Sequence, residues 1–307
     1  MEVVHSHDRL PDLKWPVVTL GTFDGVHLGH QKILREAVDW ARQNDGEAVV
    51  VTFSTHPRSI TAGRASGFIS SLRHRLILME RLGIDVVLVL DFDRRLASMP
   101  AEEFVREYFC RLLNARGIVM GFDNRFGRGG EGDIALLQKM GAAGGFEVRR
   151  AGPVNINGEL VSSTAIRTAI SEGRLDSAAR MLGRPVSLLA TVVAGEGRGR
   201  QLGFPTANLD LHHETRPPEG LYAGHTTIDG CTYRVLLSIG SQPTFHAPGS
   251  PVVVEAYLHG YDDGLYGRDI EIIFLKKLRE QKQFESAEEL VAAMRQDVEQ
   301  LEKIPIE

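Results

Sequence analysis

Two histidines stand three residues apart in a glycine-rich segment near the beginning of the chain. His27 and His30 end the run Gly21-Thr22-Phe23-Asp24-Gly25-Val26-His27-Leu28-Gly29-His30, which lies between an apolar stretch and a stretch of helical period. Its glycines let the backbone turn tightly and come close to a ligand. At a helix start, exposed backbone N–H groups and the helix dipole favour a phosphate, to which two imidazoles can add donors. The segment therefore predicts a phosphate site, although a pair of surface histidines or a metal-binding pair stays open.

A second candidate anion site lies between Ser162 and Arg167. Ser163 or Thr164 can cap a helix, and Arg167 follows within a turn, with a guanidinium that suits the same anion. An ordinary helix cap with a solvated arginine is the alternative. No Gly-Lys-Ser/Thr follows the histidine segment, so it is not a Walker A loop.

A longer glycine-rich segment in the second half ends in two small side chains that carry oxygen. The glycines allow close approach to phosphates, and the Thr206 hydroxyl and the Asn208 amide oxygen are hard ligands that suit magnesium. A mobile surface loop is the alternative. The glycines and the proline of the segment are Gly195, Gly197, Gly199, Gly203 and Pro205.

One acid interrupts an apolar strand pattern. Glu255 lies in 252–258, where a buried carboxylate is costly unless it is paired or has a function. Strand alternation puts Val253 and Glu255 on the same face, which argues against a glutamate that simply faces solvent. A strand glutamate on the outside of a barrel is the alternative.

The elements that must position these residues change in kind along the chain. In the first half, apolar runs at 17–21, 47–53, 84–90, 117–121 and 146–150 alternate with helical patterns at 29–42, 72–82, 101–113 and 134–143. This alternation predicts a doubly wound α/β domain with a parallel sheet. Ligands bind beyond the carboxyl ends of such strands, where Phe53, His56, Arg58, Asp123, Asn124 and Arg125 also lie.

The second half has the pattern of antiparallel strands. After a short hairpin and one or two helices at 164–182, strands are predicted at 188–193, 222–228, 233–239, 252–258 and 270–274. Asp229-Gly230 marks a hairpin turn, and 286–301 a final helix with Ser286 and Glu289 as its capping box. We predict a small β-barrel with a C-terminal helix. Gly183-Arg184-Pro185 separates domains of 1–184 and 185–307.

Composition limits the classes of function. The chain has 307 residues, 43% hydrophobic and 24% charged, which suits two folded domains, and its net charge of −5 argues against a general nucleic-acid binder. No apolar run approaches the about 20 residues of a membrane span, and 1–14 lacks the apolar core of a secretory signal. Two cysteines make a disulfide scaffold or cysteine zinc site unexpected and predict a cytoplasmic protein.

Taken together, the motifs resemble a known family. The histidine segment with the distant Ser162 to Arg167 resembles the nucleotidyltransferase superfamily. The full Gly21 to Gln31 is similar to one branch, the bacterial bifunctional riboflavin kinase/FMN adenylyltransferases, also called FAD synthetases. Thr52 to Arg58 and Gly121 to Gly127 resemble the same branch, and Gly195 to Asn208 resembles its riboflavin kinase signature. The resemblance extends over about residues 15–302.

This resemblance implies two reactions on two domains. The barrel would phosphorylate riboflavin to FMN with ATP, with Mg²⁺ held by Thr206 and Asn208 and with Glu255 taking the proton of the ribityl 5′-hydroxyl. The Rossmann-like nucleotidyltransferase domain would join FMN to AMP from a second ATP, giving FAD and pyrophosphate. There the FMN phosphate is itself the nucleophile, and the catalytic residues implied are His27, His30 and Arg167.

The resemblance also assigns substrate contacts. ATP contacts fall to Gly21, Phe23, Asp24, Gly25, Gly29, Ser163 and Thr164 in the first domain, and to Gly195, Gly197, Gly199, Gly203, Pro205, Thr206 and Asn208 in the second. Flavin contacts fall to Phe53, His56, Arg58, Asp123, Asn124 and Arg125. The expected partners are small molecules, with no nucleic acid and no membrane, and the chain is expected to be a monomer or a weak homo-oligomer.

Three positions depart from the family pattern. Ala194 stands where a histidine is usual, Asn124 where a phenylalanine is common, and His259-Gly260-Tyr261 replaces a more usual apolar-Asp-Phe stretch. They motivate an alternative in which only the FMN adenylyltransferase is active and the barrel merely binds flavin. A flavin-binding protein without activity, or another nucleotidyltransferase with an unrelated appendage, would lack the intact glycine segments or Pro205 to Asn208.

Overall fold

A computed structural model describes residues 1–5, 9–54, 67–195, 203–240 and 252–306 of the chain. It divides into two compact units, Met1–Thr164 and Ala165–Glu307. The domain boundary that the sequence places after residue 184 stays a prediction.

The first unit is built on a parallel sheet of six strands in the order β1-β4-β3-β2-β5-β6. In chain order its main elements are β1 (Glu2–His5), β2 (Val17–Leu20), α1 (Leu28–Gln43), β3 (Ala48–Phe53), α2 (Leu72–Arg81), β4 (Val86–Leu90), α3 (Arg94–Ser98), α4 (Ala101–Phe104), β5 (Gly117–Gly121), α5 (Ile134–Gly144), β6 (Glu147–Ala151) and the hairpin β7 (Asn155–Ile156) and β8 (Glu159–Leu160). The predicted doubly wound α/β fold is confirmed.

Alternating residues of the central strands fill two separate cores. Val49 and Val51 of β3 belong to one apolar cluster, while Val50 of the same strand belongs to the other, on the opposite face of the sheet. The second cluster includes Leu34 and Trp40 of α1, so this helix packs against the sheet through its buried face. Burial on both faces explains why these strands are continuous apolar runs in the sequence.

The edge strand β6 differs from the central ones. Glu147, Arg149 and Arg150 are exposed on it, and the Arg149 guanidinium lies 3.8 Å from the centre of the Trp40 ring. Such a contact covers the buried indole with a cation that keeps its other face in water.

Three local features of the first unit differ from the predicted elements. The short strand β1 and the helix α3 are not predicted. The helix predicted over 101–113 is α-helical only at Ala101–Phe104 and continues as a π-helix over Val105–Leu112. Its buried Phe104, Phe109 and Leu113 are four to five residues apart, a spacing that the wider π-turn brings to one face.

The second unit contains a closed antiparallel barrel with strand order β10-β13-β12-β11-β14-β9. Its elements are β9 (Ser187–Val193), β10 (Thr206–Asp210), β11 (Gly220–Ile228), β12 (Cys231–Gly240), β13 (Val253–Leu258), β14 (Asp269–Arg279) and α8 (Ala287–Glu302), preceded by α6 (Ser163–Ser171), which begins in the first unit, and α7 (Leu175–Leu182). The predicted barrel and C-terminal helix are confirmed. β10 is the strand that the pattern does not predict, because only Leu209 of its five residues is buried.

The predicted hairpin turn is present as expected, and the predicted capping box is present in part. Asp229 and Gly230 have φ of 50° and 82°, as a two-residue hairpin turn between β11 and β12 requires. The Ser286 hydroxyl accepts a hydrogen bond from the N–H of Glu289 at 3.2 Å, and the Glu289 carboxylate accepts one from the N–H of Glu285 at 2.9 Å. The second bond involves the residue before the cap, so the capping box is shifted by one position.

Two arginines attach α8 to the barrel. Arg279 on β14 donates to both carboxylate oxygens of Asp297, at 3.1 Å from Nε to Oδ1 and 2.8 Å from Nη2 to Oδ2. Arg234 on β12 donates to the carbonyls of Leu301 at 3.2 Å and Ile304 at 3.1 Å, which lie at the C-terminal end of the helix. Asp297 is only 3% exposed, so its charge depends on Arg279 for compensation.

We expect Arg279→Met to lower the free energy of unfolding of the second unit by about 3 kcal/mol, because it leaves the buried Asp297 carboxylate unpaired. Urea denaturation and amide hydrogen exchange of α8 measure the change. Arg268→Met is the matched control, since Arg268 binds both oxygens of Asp229 at 2.9 and 2.7 Å but in an exposed pair. Equal effects of the two variants would contradict the argument from burial.

Candidate functional site

The sheet of the first unit has a change of direction at β2, which lies between β3 and β5. Connections leave β2 toward β3 on one side and return to β5 on the other, and ligands bind at the carboxyl ends of strands around such a point. A cavity of about 170 Å³ lies there. It is lined by His27, Gly29, His30, Ile33, Gly121, Phe122, Asp123, Ala151, Gly152, Pro153, Val154, Leu160, Val161, Ser162 and Ser163. Two distant motifs that the sequence singles out therefore meet in one cavity.

The loop after β2 is held in place by hydrogen bonds to the backbone of residues 69 and 70. Asp24 is 2% exposed, and its Oδ1 accepts hydrogen bonds from the N–H groups of Ile69 at 2.8 Å and Ser70 at 3.2 Å. Gly25 has φ of 77°, and a Cβ at this position would lie 2.8 Å from the Ile69 side chain, so only glycine fits. Asp24 and Gly25 shape the loop and do not line the cavity.

His27 caps the helix that carries His30. Its Nδ1 accepts the N–H of His30 at 3.3 Å, so the ring proton of the neutral imidazole lies on Nε2. The two rings are stacked, with centroids 3.6 Å apart and an angle of 18° between their planes. The buried Phe23 packs against His30 in a T-shaped arrangement, with 5.3 Å between the ring centroids.

His30 has an unusual electrostatic environment. Burial lowers the pKa of its imidazole well below the usual 6.5, and the neighbouring His27 and Arg75 lower it further. Its buried Nδ1 makes no hydrogen bond within the described parts of the chain. A neutral imidazole with one nitrogen unused can bind a phosphate oxygen through an N–H without adding a fixed charge.

Arg75 is a residue of this region that the sequence analysis missed. It is fully buried on α2, where Nη1 donates to the carbonyl of Thr22 and, at 3.3 Å, to the hydroxyl of Thr52, and Nη2 donates to the carbonyl of Phe53 at 3.4 Å. It therefore ties the loop after β2 to the end of β3 and brings a positive charge beneath His30. Its spacing of three and four residues from Leu78 and Met79 places it on the buried helix face, a signal that the sequence does contain.

The other predicted residues of the first unit have different environments. Ser163 begins α6, and its hydroxyl donates to the carbonyl of Asp24 at 3.2 Å. Asn124 donates from Nδ2 to the carbonyl of Leu20 at 2.6 Å, which joins the loop after β5 to β2. Asp123 is exposed at the cavity wall. Arg125 is exposed, pairs with Asp133 at 3.3 Å and does not line the cavity.

Two further predicted contacts that the structure describes, Phe53 and Arg167, do not line this cavity. Phe53 packs edge-on against Phe92 at 5.3 Å within a core cluster. Arg167 is the fifth residue of α6 and belongs to the second unit. His56 and Arg58 lie outside the described residues, as do Gly197 and Gly199.

The candidate site of the barrel lies on the outer face of three neighbouring strands. In the strand register Asn208 on β10 is opposite Glu255 on β13, and Glu255 is opposite Ser238 on β12. Val254 and Ala256 are buried in the barrel, while Glu255 shares the other face with Val253 and is half-buried. Val253 and Glu255 lie on the same face of β13, as predicted, and both are half-buried rather than fully exposed to solvent.

Space beside Asn208 depends on a glycine. A Cβ placed on Gly195 would overlap the Asn208 amide, so the side chain at 208 fits only because residue 195 has none. Thr206 and Pro205 line a second cavity of about 390 Å³, together with 261–266 and residues of β9, β10 and β13. Gly203, with φ of 82°, turns the chain into β10.

The departures from the family pattern are partly explained by contacts. His259 lies 3.2 Å from the Glu302 carboxylate through Nε2 and 3.5 Å from the Tyr257 hydroxyl through Nδ1. It therefore links β13 to the last residue of α8. Nothing in the structure explains the alanine at position 194.

We expect the first unit to lose stability below about pH 6.5, because the unfolded chain protonates His30 near that pH while the folded unit resists protonation. Both tryptophans, Trp15 and Trp40, lie in this unit, so their fluorescence reports its urea unfolding. The unfolding midpoint should fall more between about pH 7.5 and 5.5 for the wild type than for His30→Asn. The exposed His5→Asn variant should keep the wild-type dependence, and equal slopes for His30→Asn and wild type would contradict the assignment.

No helix in the described parts of the chain is long and apolar enough to cross a membrane.

Comparison with known proteins gives two family matches in succession. The family model described as FAD synthetase matches residues 11–165, and the one described as riboflavin kinase matches residues 182–305. The first match ends where the first unit ends, and the second contains the whole barrel and α8.

Relatives with one shared name match almost the whole chain. The bifunctional riboflavin kinase/FMN adenylyltransferase of Escherichia coli (strain K12) is 34% identical over 301 residues, which cover 96% of this chain and 94% of that protein. Proteins of the same name from Pseudomonas fluorescens and Bacillus subtilis (strain 168) are 35% and 32% identical, and each match covers 97% of this chain.

A crystal structure is similar over the same length. It is described as a macrolide-efflux protein from Streptococcus pneumoniae, is 31% identical, and covers 99% of this chain and 100% of its own with a TM-score of 0.82. The fold described above is therefore shared by a protein of known structure along the whole chain.

Proposed function

The chain belongs to the family of bifunctional riboflavin kinase/FMN adenylyltransferases, and from this membership we propose how its residues divide the two reactions. It is a riboflavin kinase and an FMN adenylyltransferase. The observation that carries the assignment is that the two family matches fall in succession along the chain, each over a folded unit with a polar site of its own. We assign adenylylation to 1–184 and phosphorylation of riboflavin to 185–307.

In the adenylyltransferase, the cavity at the end of β2 takes the phosphates of ATP. His27, the neutral His30, Gly29 at the N-terminus of α1 and Ser163 all line this cavity. They stabilise the charge that develops as the FMN phosphate attacks the α-phosphorus and pyrophosphate leaves. Thr164 and Arg167 are assigned to this reaction from the family resemblance alone. No protein nucleophile is needed, since the FMN phosphate forms the new bond.

The flavin side of this reaction belongs to the loops after β3 and β5. Asp123 borders the cavity, which supports a contact there. His56 and Arg58 stay in the proposal from the family resemblance alone. Phe53 and Asn124 support the flavin site indirectly. Phe53 packs in the core, and Asn124 joins its loop to Leu20 by a hydrogen bond.

In the kinase, the residues that bind the nucleotide lie on β10, and the general base lies on β13. Thr206 and Asn208 alternate onto one face of β10, and their oxygens are the hard donors that Mg²⁺ takes. The described residues contain no cluster of three His, Cys, Asp or Glu that could hold a metal alone, so phosphate oxygens fit as the remaining ligands. When bound, magnesium neutralises phosphate charge. Glu255, opposite Asn208, accepts the proton of the acceptor hydroxyl.

ATP and flavins are thus the proposed substrates, and small molecules the proposed partners. A cytoplasmic location is supported by Cys110 and Cys231, which are both free thiols. The proposed monomer or weak homo-oligomer is open to direct test by light scattering.

We expect Glu255→Gln to lower the rate of FMN formation from riboflavin, ATP and magnesium by about 10²–10⁴-fold, because the general base is lost while the shape is kept. Chromatography of the flavins measures it. The same preparation should convert FMN and ATP to FAD at the wild-type rate. His30→Ala should give the reverse result, and loss of both activities in either variant would contradict the division of labour.

A second prediction concerns the glycine beside Asn208. Gly195→Ala should raise the KM for Mg-ATP in the kinase reaction by about tenfold or more, because its methyl group displaces the Asn208 amide. Adenylylation of FMN should be unchanged. In an Asn208→Ala background the same substitution should have little further effect, since the overlap is gone. Additive losses in the double variant would show that Gly195 acts on something other than Asn208.

A further inference from the structure

A row of polar side chains crosses the outer face of the barrel at Glu255. Asn208 is opposite Glu255 on one side, and Ser238 is opposite it on the other. Residues directly opposite in an antiparallel pair have Cβ atoms about 4.5–5.5 Å apart. The proposed base therefore has an amide on its β10 side and a hydroxyl on its β12 side. The role of the hydroxyl is not explained by the residues assigned so far.

Gln281, just after β14, fixes the orientation of that hydroxyl. Its Nε2 donates to the Ser238 hydroxyl oxygen at 3.0 Å and to the carbonyl of Ile239 at 3.0 Å. A carbonyl can only accept, so the amide must present its nitrogen to this strand and its oxygen away from it. The side chain is packed closely, since a Cβ on Gly240 would lie 2.8 Å from Nε2.

These bonds leave one donor and one acceptor for a ligand. Because the Ser238 oxygen accepts from Gln281, its own hydrogen is directed elsewhere, and within the described residues no acceptor for it is present. The Oε1 of Gln281 is likewise without a donor in the part of the chain that the structure describes. Both side chains are only half-buried, so a ligand can reach them. A hydroxyl group both donates and accepts, which matches this pair.

We propose that Ser238 and Gln281 bind a hydroxyl of the ribityl chain of riboflavin and so hold its 5′-hydroxyl toward Glu255. The proposal rests on the proposed kinase function. The nucleotide and its magnesium occupy the Asn208 side of the base, and in-line transfer brings the acceptor from the side opposite the leaving group. The β12 side of Glu255 is that side. Ser238 and Gln281 are thus positioning residues for the acceptor, and the proton still passes to Glu255.

Ser238→Ala tests this assignment. We expect kcat/KM for riboflavin in the kinase reaction to fall about tenfold while the KM for ATP stays unchanged, because one substrate hydrogen bond is lost and the nucleotide side is untouched. Thr232→Ala is the matched control on the same strand, since its hydroxyl faces Thr227 at 3.4 Å. This control should keep wild-type kinetics. An unchanged KM for ATP also shows that the barrel of the variant is folded.

A substrate change makes the test specific for the ribityl chain. Riboflavin analogues that each lack one of the 2′-, 3′- or 4′-hydroxyls are compared in wild type and Ser238→Ala. For one analogue, kcat/KM should be about tenfold lower than for riboflavin with the wild type. With Ser238→Ala, that analogue and riboflavin should have the same kcat/KM. Gln281→Leu should reduce the same discrimination, because it removes both the acceptor and the group that orients Ser238.

The proposal is overturned if Ser238→Ala keeps the wild-type preference for riboflavin over all three analogues, or if its loss appears in the KM for ATP. Glu255→Gln separates this failure from failure of the proposed kinase mechanism. If Glu255→Gln loses kinase activity while Ser238→Ala keeps wild-type kinetics, the proposed ribityl contact is wrong and the assigned base is not. Full kinase activity of Glu255→Gln would instead show that Glu255 is not the base. The proposed ribityl contact would then also fail, because it assumes that the 5′-hydroxyl is held toward Glu255.

Discussion

The buried carboxylate of Asp24 holds the loop on which the first active site depends. A carboxylate that accepts two backbone N–H groups is stable in a buried position, whereas without them its burial would be costly. The bonds lock 69–70 against the loop, and the packing of Ile69 then excludes any side chain at Gly25. The positions of His27 and His30 follow, because the helix that carries them starts where this loop ends. Arg75 adds a second tie, from Thr22 to the end of β3.

The barrel positions its groups by a different physical means. There the strand register places Asn208, Glu255 and Ser238 in a row, and each side chain projects from a ladder that is hydrogen-bonded on both sides. A closed barrel cannot slip by one residue without turning its whole apolar set outward, so the register is strongly fixed. One unit thus relies on a loop held by a buried acid, and the other on a sheet that has no freedom to shift.

Much of the fold could be predicted from the sequence because burial on two faces leaves an unbroken signal. β3, β4 and β5 are apolar runs, and their predicted positions agree with the structure within about two residues. β10 was missed because Thr206 to Asp210 reads as polar loop, and its pairing with β9 and β13 is a tertiary effect. The glycine and histidine segments identified the first site because glycine and cap residues leave local signatures. Ser238 and Gln281 leave none, since the groups that their side chains contact lie 42 or 43 positions away. Arg75 leaves only its place on the buried face of α2, since its hydrogen-bond partners lie 22 to 53 positions away.

The two sheets also differ in how they end. The barrel of the second unit closes on itself and offers no unpaired strand edge, whereas the parallel sheet ends at β6 with a row of backbone groups that has no neighbouring strand in the described structure. An open edge is a template for pairing with another chain. Glu147, Arg149 and Arg150 are exposed on that edge, and the Arg149 guanidinium is held over Trp40. An incoming strand would have to displace water from these charges, so the edge is protected against aggregation by the same arginine that covers the indole.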